Sequence, residues 1–172
     1  IVQLMRGIYA DVDEDVDGIV LRHAVRIANY LYPRAYLSAA SAVLLAPTRD
    51  GRLFVSGPRS QRKRIRTLEI IQNIAPAHPS TAPALIADGL GEFRIDVSSL
   101  RQRLLEAFRL RSEHAASISE EMRALLAARL IEEYGDSKSA ADALWALARE
   151  NGWYREGEQA ERYLLKPPSL IE

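Results

Sequence analysis

At Ser98 the rhythm of apolar residues changes, and that change decides what the chain can fold into. Beyond it, Leu100, Leu104, Leu105 and Phe108, then Met122, Leu125, Leu126, Leu130 and Ile131, then Ala141, Leu144, Trp145 and Ala148 recur at helical spacing, which stacks side chains on one face of an α-helix. Gly135-Asp136 and Asn151-Gly152 separate these runs, as glycine tolerates the left-handed conformation in which helices commonly end. Ser99 with Gln102, and Ser117 with Glu120, match the reciprocal capping pattern that satisfies free amides at a helix start. A last helix is predicted over 156–164, ahead of Pro167-Pro168.

Before Ser98 the pattern is mixed. Leu4-Met5-Arg6-Gly7-Ile8-Tyr9 predicts an opening strand, with Gly7 relieving the backbone at a bulge or bend. Ile19, Val20, His23, Ala24, Ile27, Tyr30 and Leu31 predict a helix over 17–32, stopped by Pro33. Ser38 is a candidate N-cap for a short helix through Ser41–Leu45, ended by Pro47. Asp50-Gly51 predicts a tight turn into Leu53-Phe54-Val55, and Ile65, Leu68, Ile70, Ile71 and Ile74 a β-branched strand. Pro76, Pro79 and Pro83 predict a loop, and Asp88-Gly89-Leu90-Gly91 a hairpin turn between 84–87 and 92–95. The expectation is an α+β fold: a mixed α/β region with short strands and hairpins over 1–97, beginning at a wing-like strand, then a C-terminal helical bundle over 98–172. No fixed-period repeat or low-complexity linker intervenes, so the two are expected to pack together.

The 172 residues contain no cysteine, which excludes disulfides, thiolate chemistry and cysteine-based zinc sites and fits a reducing cytoplasm. No apolar run approaches the roughly 20 residues of a membrane span, so no membrane partner is expected and the localisation is read as cytoplasmic. Formal net charge is zero, yet the charges are segregated. Asp11, Asp13, Glu14, Asp15 and Asp17 form an acidic loop, read as a solvated turn whose last Asp favours the positive end of the next helix. Arg52, Arg59, Arg62, Lys63, Arg64 and Arg66 form a basic stretch.

The opening strand and the segment Leu37-Ser38-Ala39-Ala40-Ser41-Ala42 carry a resemblance. The order of elements and these two motifs resemble the AbiEi-type antitoxins of bacterial abortive-infection and toxin–antitoxin systems. There a wing strand reading Leu-x-Arg-Gly-x-Tyr closes a winged helix and a Leu-Ser-x-x-Ser-Ala segment follows. The likeness covers most of the chain in architecture and about a dozen positions in identity, and departs at Ala39, where many relatives carry His. It implies an antitoxin-like transcriptional regulator whose DNA-reading helices precede the wing. A chain that opens on that strand without an initiator Met is accordingly expected to be part of a longer protein with the winged-helix portion truncated. Similar regions precede HipA-like or Fic-like toxin domains, which implies the alternative of a non-catalytic regulatory domain of a larger protein.

Alternation along a strand would set Arg62, Arg64 and Arg66 on one face, where with Arg59 and Lys63 they would contact duplex DNA through its phosphates. Without interleaved aromatics such a face positions a duplex but does not read it. The competing reading is a solvated face whose arginines pair with acids elsewhere in a neutral chain. Arg6 is either a wing contact to a groove or phosphate, or a structural ion pair. Trp145, Trp153 and Tyr154 are candidate anchors for a toxin domain, another protein partner or a homodimer, against the reading of plain core packing.

Catalysis is not expected, and no cofactor or metal is. His23, His78 and His114 are scattered, with no helical pair to hold a metal. His23 is read as a packed core residue and His114 as a surface or helix-end residue. Gly89-Leu90-Gly91 lacks the setting of a phosphate loop. Glu120-Glu121 and Glu132-Glu133 are adjacent in sequence and so diverge on a helix.

Overall fold

In the computed structural model, which describes residues 1–11 and 15–166, the expected opening strand folds back on itself. Strands β1 (Val2–Met5) and β2 (Ile8–Ala10) pair antiparallel, and Gly7 takes φ +85° between them. This backbone conformation is open to glycine at little cost, so Arg6 and Gly7 form a hairpin tip in place of a bend in one strand.

The predicted helix over 17–32 is two, α1 (Val16–Arg22) and α2 (Ala24–Leu31), interrupted at His23. Asp15 caps α1 by accepting from the Gly18 amide at 3.2 Å; Asp13 and Glu14 of the acidic run lie outside the described residues. His23 Nδ1 stands 3.0 Å from Asp88, whose carboxylate also takes two bonds from Arg26 at 2.7 and 2.8 Å. The Arg26 pair and these neighbours hold the Asp88 carboxyl well below the usual carboxylate range. The turn that carries Asp88 is thereby tied to the helix break.

β3 (Tyr36–Leu37) leads into α3 (Ala39–Leu44), and the chain then forms β4 (Arg52–Gly57), β5 (Gln61–Ile65), β6 (Leu68–Ile74), β7 (Thr81–Ala87) and β8 (Glu92–Ser98). The second sheet runs β5-β6-β4-β3-β8-β7, with β4–β6 and β3–β8 parallel and the remaining neighbours antiparallel. The hairpin predicted around Asp88 is present as β7–β8, but Pro83, expected in a loop, lies inside β7. β7 is an edge strand, the place where a residue without an amide proton is tolerated.

The helices that follow are α4 (Leu100–Glu106), α5 (Glu113–Ser117), α6 (Glu120–Tyr134), α7 (Ser137–Glu150) and α8 (Tyr154–Leu165). Ser99 caps α4 as predicted, through the Gln102 amide. The cap of α6 is Ser119, not Ser117; the Ser117 hydroxyl instead donates to the His114 carbonyl at 2.6 Å and accepts from the Ala40 amide at 3.2 Å. Ser38 occupies the N-cap position of α3 but its hydroxyl accepts from Ser56. Pro167-Pro168 lies outside the described residues.

The sheet separates two apolar clusters. Leu53 and Val55 of β4, with Leu68 and Ile70 of β6, pack with α1 and α2, whereas Phe54 and Ile71 belong to the cluster of α4 and α6–α8. Successive strand residues thus serve opposite faces. The second cluster includes Ala39, Ala40, Phe54 and Ile71 from one side of position 97 and Leu104, Leu126 and Leu144 from the other. No helix among the described residues is long and apolar enough to cross a membrane.

Candidate functional site

β5 carries the basic stretch at the sheet edge. Its register puts Arg62 opposite Ile71 and Arg64 opposite Glu69, on one face. Glu69 is buried, and its two carboxylate oxygens accept from Arg62 and Arg64 at 2.6 Å each. Arg62 also reaches Glu113 at the start of α5, and that carboxylate, ahead of Glu69, holds its guanidinium above its ordinary value. Arg66 does not continue the strand: it sits in the β5–β6 turn with φ +54° and bonds Asp17 at 2.6 Å. The expected single face of three arginines is therefore two arginines closed on one buried carboxylate and a third turned to α1. Arg59, Lys63 and Arg6 are exposed and make no ion pair among the described residues.

Beside this edge, between β5–β6 and the loop joining α4 to α5, lies a cleft of about 400 Å³. Arg62, Arg109, Arg111 and Glu113 line its mouth, with Trp153 on one wall; Ser56, Glu106 and His114 are its buried polar members. It brings together one predicted nucleic-acid residue, Arg62, and one predicted partner residue, Trp153. The cation of Arg109 lies over the Trp153 ring, 4.7 Å from its centroid.

Of the two expectations for His114, the helix end holds, since it is the second residue of α5, and the surface does not, since it is buried. Its ring meets Phe54 edge-on at 5.0 Å, and Nε2–H donates to the Val55 carbonyl at 3.0 Å. Burial pushes the imidazole down to about 4, so it is neutral at pH 7 and Nδ1 is a bare acceptor. Glu106 accepts from the Ala39 amide at 3.0 Å, the Ser98 hydroxyl at 2.8 Å and Gln102 Nε2 at 3.3 Å. Burial raises its carboxyl pKa, opposed by those donors. Gln102 also donates to Tyr36 Oη at 2.8 Å, and burial, then the nearby Glu106 charge, raises that phenol. The network fixes the junction between β3 and α3, where Ala39 takes φ +50°.

Trp145 and Trp153 are half-buried against the helical core. The Trp145 indole N–H donates to Glu161, and its ring edge abuts Gly157. Tyr154 stays exposed at the start of α8. Glu106 and His114 carried no local signal of a site, because apart from Gln102 on the same helix as Glu106 their partners come from α3, β4 and β8. No cluster of three metal-ligating side chains occurs among the described residues.

Compared with protein-family models, with curated proteins and with solved structures, the chain matches none.

Proposed function

We propose that this chain is a non-catalytic regulatory module that works in the cytoplasm by binding a partner protein. The resemblance to AbiEi-type antitoxins, and to the regions that precede HipA-like or Fic-like domains, supports a regulatory role of this kind. The observation that carries the reading is the closure of Arg62 and Arg64 on the buried Glu69, with Arg62 also on Glu113. At Arg62 and Arg64 a phosphate must compete with carboxylates already in place, which leaves Lys63 and the neighbouring Arg59 as the cations of this edge that make no ion pair among the described residues. The half-buried Trp153 and exposed Tyr154 leave an aromatic corner at the start of α8 for a protein surface.

Fluorescence anisotropy with duplex DNA across a salt series tests this. The chain should bind weakly and with a shallow salt slope, whereas the Glu69→Gln, Glu113→Gln double variant, which frees both arginines, should bind more tightly and steepen the slope by about 2. A native chain that already binds steeply, and loses that binding when Arg62, Lys63, Arg64 and Arg66 become Ala, would reverse the reading.

One observation favours DNA contact as a second reading: β1–β2 is a two-stranded hairpin with Arg6 exposed at its tip, the shape of a wing. On that reading Arg6→Ala alone lowers the salt slope by about 1.

A further inference from the structure

The cleft beside β5 holds more hydrogen-bonding and charge capacity than the fold uses. His114 lines its buried side, and Nδ1 of that ring, itself a buried atom, has no hydrogen-bond partner, although the opposite ring nitrogen is engaged by Val55. Buried polar atoms are almost always partnered, and this one belongs to a residue lining an opening large enough for a small organic molecule. At the mouth the three arginines differ in what remains to them. Arg62 is held by Glu69 and Glu113. Arg109 is flattened on Trp153 and has a long contact of 3.5 Å to Glu156. Arg111 is exposed, makes no ion pair among the described residues and takes φ +52°, a conformation that side chains other than glycine adopt reluctantly.

We propose that this cleft binds a small organic anion, its phosphate or carboxylate held by Arg109 and Arg111 while an N–H or O–H of the same molecule donates to Nδ1 of His114. The arginines disfavour a cationic ligand, and a wholly apolar one would leave both them and the imidazole unmatched. The neutral imidazole suits a donor, since its only proton is already directed at Val55. The site stands whether or not the module binds a partner protein.

The test is calorimetric titration of the full chain with the four ribonucleoside monophosphates, inorganic phosphate and malate, whose hydroxyl can donate, with the His114 nitrogen resonances followed by NMR. Saturable binding by a nucleotide but not malate identifies a phosphate ligand, and the converse a carboxylate; in either case Nδ1 should shift on saturation. Arg111→Gly removes the cation and also relieves its backbone, so it should weaken binding at least tenfold while the melting temperature holds or rises. The proposal is overturned if no probe saturates at millimolar concentration. It is equally overturned if Arg111→Gly binds as well as the native chain, or if binding leaves His114 unmoved.

Discussion

Leu45 ends α3 in the left-handed region at φ +54°, its amide bonded to the Ser41 carbonyl at 2.8 Å and its side chain 38% exposed. More than half of the side chain is therefore covered, and Leu45→Gly would exchange about 1 kcal/mol of backbone relief for a loss of about 1–2 kcal/mol of apolar burial. The two nearly offset, so a thermal melt should move by no more than about 3 °C; a larger fall would mean that the left-handed backbone at Leu45 carries little strain. Ala39 is strained in the same sense but lies at the centre of the Glu106 network, so relief there would come mixed with other changes. Sequence alone marked neither position as left-handed, because glycine marks where a left-handed residue is easy and not every place where one is used.

Among the elements, α7 and α8 pack closely at Gly157. A Cβ placed on Gly157 would stand 2.9 Å from Ala148 Cβ and 3.0 Å from the Trp145 ring. Ala is favoured over Gly within a helix by about 1 kcal/mol, but overpacking of this kind costs about 1–3 kcal/mol. Gly157→Ala should therefore lower the urea midpoint, and an unchanged midpoint would show that the two helices separate freely. Elements with strong local chemistry were legible in the sequence: Asp88-Gly89 announced the β7–β8 hairpin, and Ser99 the start of α4. What was not legible depended on distant partners. Pro83 reads as a loop residue until β7 proves to be an edge. Ser117 matches the capping pattern better than Ser119, yet Ala40 and His114 claim its hydroxyl. The basic strand was found, but not the acids that close on it: Glu113 lies 51 residues from Arg62, and Glu69, only seven residues away, faces the arginines because β5 and β6 pair as a hairpin.

For the molecule as a whole, His114 couples stability to pH. Its imidazole is pushed down by burial from 6.5 to about 4, so below pH 6.5 the unfolded chain takes up a proton that the folded chain refuses. Stability from this group is complete above that pH and declines as pH falls towards 4, by roughly 3 kcal/mol in all. Glu106, whose carboxyl is raised, works in the opposite sense, gaining relative stability as pH falls. Urea unfolding of the native chain and of His114→Gln at pH 7.5 and pH 5 separates the two, because Glu106 is common to both. The variant should lose most of the native chain's acid sensitivity over that interval, and equal sensitivity would remove His114 as its source. The alternation of Leu53, Phe54 and Val55 between two cores has a wider consequence. One inserted or deleted residue in β4 would exchange the outer and inner linings of both cores at once, so length changes are confined to the turns that bound the strand, and the middle of this protein is closed to insertion.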